Sequence, residues 1–445
     1  MENIHGFNFS RLHFDADGKL QHPQELEDLK GLAAGATDAI FIAHGFRNDE
    51  DDASRLFTGF LQTLRQHIDG SFQASLGARR FVVAGVYWPS KAFSEDVKFE
   101  GATASIDDES AEKRQMREKL IELRDSDACV EQKPRIDKAI KLLDDLKGNP
   151  EAQDEFVEHV LSLLDDSKLD PAEGLANVRA KSGSELLDLL STPLRNPVPV
   201  EDDGEGGVAS LGNVFVADED GGAQSFGSFF GSVFSRVNQF LNLTTWYLMK
   251  DRCGVVGENG MAEAVRAIKL SAPALKIHLV GHSLGGRLMA GCLKSLAQAP
   301  KLRPESATLL EAAFSHFGFS GGNGKHQVGY FRSVIDENVV NGPFLATFSE
   351  QDSVVGTAYA IASRLAGDNL KAIGDKNDPF GGIGRNGAQK TAEALAGKLH
   401  LAGAPYSFTT GKILCLDGSG GLIKDHGDVT NSNVTYAFAS AVAAT

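Results

Sequence analysis

Residues 276–296, KIHLVGHSLGGRLMAGCLKSL, constrain the fold more than any other stretch of the chain. Ile277, Leu279 and Val280 make a short apolar run of strand type. Gly281-His282-Ser283-Leu284-Gly285 follows at once, and Leu288, Met289, Cys292, Leu293 and Leu296 then recur at helical spacing. A strand that turns directly into a helix strains its central residue and brings the two elements very close. Gly281 and Gly285 lack the Cβ atoms that would collide there. Ser283 then projects its hydroxyl from the turn, above the carboxyl ends of the strands, with the amides of the helix pointing toward any anion held nearby. With 48 glycines in the chain a chance match is cheap; the flanking strand and helix give the pentapeptide its meaning.

Strand, G-x-S-x-G and helix together resemble the nucleophile elbow of the α/β-hydrolase superfamily, and GHSLGG is similar to its lipase and esterase branch. The resemblance covers most of the chain outside an insertion. It implies an α/β fold with a mostly parallel sheet flanked by helices, an oxyanion-binding loop upstream, and an acid and then a histidine downstream.

Upstream, Ala39-Ile40-Phe41-Ile42-Ala43 reads as a buried parallel strand ending in His44-Gly45-Phe46-Arg47. The resemblance implies that the N–H groups of Phe46 and Leu284 hold the oxyanion, with His44, Gly45 and His282 lining the substrate side. His44 itself is read as a structural hydrogen-bonding residue. Phe81–Tyr87 is the next strand, closed by Trp88-Pro89. Trp88 suits an acyl-pocket wall, and equally a strand-end aromatic covering the core.

Downstream, Phe344-Leu345-Ala346-Thr347-Phe348-Ser349 reads as a strand leading to Asp352, ahead of a small-residue helix. Residues 412–417 form the last strand, which leads through glycines to Lys424-Asp425-His426-Gly427-Asp428. The order Ser283, Asp352, His426 matches the superfamily's Ser…Asp…His. Histidine suits the base because its pKa lies near neutrality. Of twelve histidines, His426 is singled out by its glycine-flanked loop after the final strand. Asp417 is the main competitor for the acid. Asp425 and Asp428 adjoin the ring too closely, and Glu311 and Glu350 are remote.

The formal charge of −16 argues against nucleic acid and anionic membranes. The amino terminus lacks a signal-peptide pattern and no 18-residue apolar run occurs, so a cytoplasmic location is the default and signal-less export stays open. Four separated cysteines, Cys129, Cys253, Cys292 and Cys415, read as free thiols. Residues 382–387 match G-x-G-x-x-G but follow a polar turn, so no dinucleotide is implied; this loop is read as shaping the mouth of the site. Asp425-His426-Gly427-Asp428 lacks a second ligand cluster, so neither metal nor other cofactor is expected.

The resemblance implies that residues 1–90 and 225–445 form an α/β-hydrolase core. Residues 91–224, with charged helices and a Pro/Gly/acid-rich stretch after Thr192, form a helical insertion serving as a cap, a lid or a surface for a protein partner. Residues 225–243 carry a phenylalanine stripe at helical spacing. It is either a lid facing a transient lipid interface or a core helix, and the core reading is favoured. The expected activity is hydrolysis of a small-molecule or lipid carboxylic ester through an acyl-enzyme. Phospholipase, peptidase, thioesterase and acyltransferase chemistry stand as alternatives, and a non-catalytic binding scaffold as another class.

Overall fold

A computed structural model describes residues 2–91, 108–126, 132–165, 170–191, 232–322, 327–366, 376 and 378–445. The fold is built on the run Asp38–Ala43 (β3), whose six residues are all buried. Ala39, Phe41 and Ala43 enter one apolar cluster and Ile40 and Ile42 the other, so both faces of the strand are covered. That is the environment a near-continuous apolar run demands.

Nine strands make one sheet in the order β1-β2-β4-β3-β5-β6-β7-β9-β8. These are β1 (Glu2–Ile4), β2 (Phe7–His13), β3, β4 (Phe81–Tyr87), β5 (Lys276–His282), β6 (Ser306–Leu310), β7 (Phe344–Phe348), β8 (Ala394–Lys398) and β9 (Ile413–Asp417). Every neighbouring pair is parallel except β1–β2. The chain therefore belongs to the α/β class. β4 lies on one side of β3 and β5 on the other, so strand order reverses at β3. Open parallel sheets bind ligands beyond the carboxyl ends of the strands at such a switch point.

Helices Glu50–Asp69 and Ser432–Ala443 cover one face. The other carries Pro23–Ala33, Leu284–Leu296 and a long run from Val233–Val255 through a π turn, Val256–Met261, to Ala262–Ser271. The described helices of the 91–224 segment share this second cluster: Leu120, Ile136, Phe156 and Leu186 are buried in the same apolar body as Leu288.

From its sequence Ala307–Phe314 reads as one strand, but β6 stops at Leu310, because Glu311 takes a φ of 44° and leaves the extended path. β8 was unforeseen; its Ala-Leu-Ala-Gly-Lys has weak strand propensity and forms by pairing with β9. In Val233–Val255 nearly every residue is buried, including Asn238, Gln239 and Asn242, which agrees with the favoured core reading for the described part of the stripe and leaves it no apolar face for lipid. Phe226, Phe229 and Phe230, the Pro/Gly/acid-rich stretch and Cys129 lie outside the described residues. Cys253, Cys292 and Cys415 are buried free thiols. Among the described residues no helix is long and apolar enough to cross a membrane.

Candidate active site

Ser283 stands between β5 and the helix Leu284–Leu296 with φ 57° and ψ −123°, in the left-handed region that non-glycine residues rarely occupy. The turn is tight because its glycines touch backbone. A Cβ on Gly281 would lie 2.2 Å from the Gly285 carbonyl oxygen, and one on Gly285 would lie 2.5 Å from the carbonyl oxygens of Ala43 and His44. The strained turn is pinned from the next strand: Ser283 N–H donates to Leu310 O (2.9 Å) and Ala313 N–H donates to Ser283 O (3.0 Å).

Asp352 follows β7 and heads the helix Ser353–Ala366. It is fully buried and uses its two oxygens separately. Oδ1 accepts the Val355 N–H at 2.8 Å, as an N-terminal cap does, and Oδ2 lies 2.7 Å from His426 Nδ1. A carboxylate only accepts, so His426 Nδ1 is the donor of this bond. His426 Nε2 is buried and has no hydrogen-bond partner among the described residues. Arg385 donates to the Asp352 carbonyl at 3.0 Å, which fixes the loop.

His282 joins these pieces. Its Nε2–H donates to the His426 carbonyl at 2.7 Å, and the two rings lie 4.8 Å apart. The final loop is thereby held against the residue that precedes Ser283. Burial, and then the neighbouring His426, pull the His282 pKa down to about 3, so the ring is neutral.

The loop after β3 completes the arrangement. A Cβ on Gly45 would lie 2.8 Å from Ser283 Cβ and 3.3 Å from its Oγ, so only glycine fits beside the hydroxyl. Phe46 N–H has no acceptor among the described residues, and Leu284 N–H opens the helix and lacks an intrahelical one. The loop is anchored by Arg47 N–H to Ser90 O (3.0 Å) and by the Phe46 ring against Trp246 (5.7 Å). Arg47 also reaches Asn242 Oδ1 at 3.4 Å, so the Val233–Val255 helix lies against this loop.

The remaining expected residues fall into place around this centre. Trp88 stacks on His44 (5.6 Å, 14° between planes), and its indole N–H donates to the His44 carbonyl at 3.0 Å. Both are buried, and His44 is engaged as a structural residue, its pKa lowered to about 4 by burial. Trp88 therefore packs as a strand-end cover. Rival residues sit elsewhere: His278 pairs with Asp38 (2.9 Å), His67 meets Ser432 O (2.8 Å), and Asp417 accepts from Ser419 N–H (2.9 Å). The glycine-rich loop at 382–387 packs against the ends of β6 and β7, with Gly384 N–H donating to Ala312 O (2.9 Å) and Ser349 N–H to Gly384 O (3.0 Å). It buttresses the site instead of forming its mouth.

Sequence reasoning set Glu311 aside as remote; in the fold it is fully buried, in the segment whose Leu310 and Ala313 bond the Ser283 backbone, and nothing in the sequence marks it. Among the described residues the one grouping with metal-ligand spacing is His13, His22 and Glu25, far along the sheet. There His13 Nδ1 already bonds Glu25 at 2.6 Å and His13 N–H the other carboxylate oxygen at 2.8 Å. A serine at a strained turn, a buried His–Asp pair and N–H groups of Phe46 and Leu284 without acceptors among the described residues are the parts acyl transfer uses: a base for the hydroxyl proton, an acid for the imidazolium, dipoles for the oxyanion. Neither protein-family models, curated proteins nor solved structures yielded a match to this chain.

Proposed function

We propose that this chain is a serine hydrolase of the α/β-hydrolase type that cleaves carboxylic esters through an acyl-enzyme. The observation that carries the reading is the buried His426–Asp352 hydrogen bond of 2.7 Å, in a chain whose Ser283 occupies a strained strand-to-helix turn; the second imidazole nitrogen makes no hydrogen bond, with Ser283 Oγ or any other described atom.

In this reading His426 Nε2 takes the hydroxyl proton as Ser283 Oγ bonds the ester carbonyl carbon. The carbonyl electrons move onto oxygen, where the N–H groups of Phe46 and Leu284 receive the charge. Asp352 stays ionised and offsets the imidazolium. Collapse of the intermediate expels the alcohol, protonated by His426, and leaves an acyl-serine. Water repeats the cycle with the same base. No cofactor takes part in these steps.

Ser283 and His426 are 1% and 2% exposed, so the reacting atoms work out of bulk water, where fixed dipoles act most strongly. Turnover of a short p-nitrophenyl ester by the wild type and its abolition in Ser283→Ala, with an unchanged circular dichroism spectrum, is the expected result. Undiminished hydrolysis by that variant would refute the assignment. A protein that is inert toward esters, thioesters and amides alike, and unreactive toward a fluorophosphonate, would instead be a binding scaffold.

A further inference from the structure

The carboxyl end of β2 carries a group of side chains that the ester scheme leaves without a role. His13 is the last residue of that strand, in register with Tyr87 on β4, and its ring stacks on the Tyr87 ring (4.7 Å, 20° between planes). The chain then turns back on itself. Phe14 bridges to Leu20, and Gln21 N–H donates to His13 O at 2.8 Å, so His22 returns to the side of His13. Pro23 opens the next helix with a φ suited to its first turn, and Glu25 N–H donates to His22 O at 3.0 Å. A strand end, a closed loop and a helix start thus bring His13, His22 and Glu25 together.

Glu25 is oriented by His13: Oε2 accepts the His13 N–H at 2.8 Å, and Oε1 lies 2.6 Å from His13 Nδ1. Alone, that pair would be a tie between strand and helix. His22 adds a donor that the tie does not need. It stands at the helix N-cap, where Ser, Asp or Asn usually accepts an amide proton, yet its side chain makes no capping bond. Its exposed ring hydrogen-bonds no described residue and meets the His13 ring edge-on at 5.7 Å.

One ligand atom from each of the three residues lies within 4.8 Å of the others. Zinc, with tetrahedral bonds of about 2.0–2.2 Å, needs ligand atoms about 3.4 Å apart. His13 and Glu25 are already that close, so the ring that has to move is His22, which nothing holds. The local charges favour a cation. His13 Nε2 lies 3.7 Å from Glu50 Oε1, Glu50 pairs with Arg11, and Arg11 pairs with Glu2 at 3.3 Å. In this linked set the carboxylates of Glu2, Glu25 and Glu50 outnumber the Arg11 guanidinium. Two imidazoles and a carboxylate are the donors of a zinc-type ion, whereas calcium and magnesium take shells of oxygen.

We propose that His13, His22 and Glu25 bind one divalent transition ion of the zinc class, and that the ion fastens the 14–22 loop and the helix Pro23–Ala33 to β2. It takes the place of the proton now shared between His13 Nδ1 and Glu25 Oε1, and water completes its shell. Three protein ligands, one of them exposed, make this an exchangeable site and not a closed structural one. β4 and β3 separate β2 from β5 and its Ser283 turn, so the ion takes no part in the ester scheme.

The test is calorimetric titration of the metal-free whole chain with zinc chloride, with thermal melts alongside, for the wild type, His22→Ala and His400→Ala. The His22 ring bonds nothing, so its removal spares the fold, and His400 is an exposed histidine elsewhere that serves as the control. The wild type and His400→Ala should each bind one ion, with Tm rising by about 3 °C at about a hundredfold excess over Kd. His22→Ala should bind roughly tenfold more weakly or worse. Absence of saturable binding, equal affinities for the wild type and His22→Ala, an equal loss in His400→Ala, or displacement of the ion by magnesium or calcium would each overturn the proposal. Ser283→Ala should bind the ion as the wild type does, so failure of the ester reading would leave this site standing.

Discussion

Two buried glutamates in this molecule live in opposite circumstances. Glu173, from the 91–224 segment, has every oxygen engaged: Oε1 accepts Ser315 N–H and Tyr359 O–H, both at 3.0 Å, and Oε2 pairs with Lys250. Lys250 also donates to Tyr359 at 2.7 Å, and its carbonyl accepts from Arg287 Nε at 2.8 Å. That network ties the segment to the helices following Ser283 and Asp352. Glu311, at the sheet rim, has none of this. A satisfied buried network fixes one structure, whereas the Glu311 carboxyl is buried with neither oxygen hydrogen-bonded to a described residue. The difference separates the part of the molecule that holds the site from the part that uses it.

Substitutions at the rim should cost activity and spare stability, and those in the network should do the reverse. The largest effect is expected from Asp352→Asn, which keeps an N-cap for Ser353–Ala366 but removes the charge opposite His426. At neutral pH kcat should fall about 10⁴-fold with little change in Tm. A large fall in Tm would break the comparison.

Next, Lys250→Met should destabilise the fold by about 3–5 kcal/mol by leaving Glu173 buried and unpaired, while the Glu173→Gln/Lys250→Met double variant should cost less. Burial already pulls the Lys250 pKa down to about 8 against the attraction of Glu173, which marks how expensive this charge is to bury. Denaturant midpoints read the difference. A double-variant loss equal to the sum of the two single losses would mean that the pair is not coupled.

Gly45→Ala sharpens the contrast further, since its Cβ would press on Ser283 at 2.8 Å. A displacement of this kind costs about 10²-fold in rate, read as kcat/KM.

The smallest expected effect is in pH. His44 and His282 are neutral in the fold down to about pH 4 and about pH 3, whereas the unfolded chain protonates each below about pH 6.5. Stability from these two rings is complete above about pH 6.5 and declines as pH falls through that window. Tm measured from pH 7 to pH 4 should drop, and His44→Asn should flatten part of the slope.

Much of this was legible in the sequence because local patterns and tertiary packing agree there. The apolar runs of β3 and β4 and the turn at Gly281–Gly285 need no distant partner to be recognised. The loop positions of Asp352 and His426 followed from strand order. What stayed hidden depends on contacts far apart in sequence. β8 exists because β9 offers it an edge, and Trp88 turns inward because His44 is there to stack on. Glu311 looks like any strand residue until Leu310 and Ala313 are seen gripping Ser283, and Asn238, Gln239 and Asn242 look solvent-facing until a second helical layer covers them.

The central claim is that Ser283 is the nucleophile, and covalent labelling tests it most directly. The wild-type chain treated with a fluorophosphonate should gain one adduct, located by mass spectrometry on the peptide containing Ser283, and His426→Ala should suppress it. An adduct on another serine, or an unmodified chain that still turns over esters, would contradict the account.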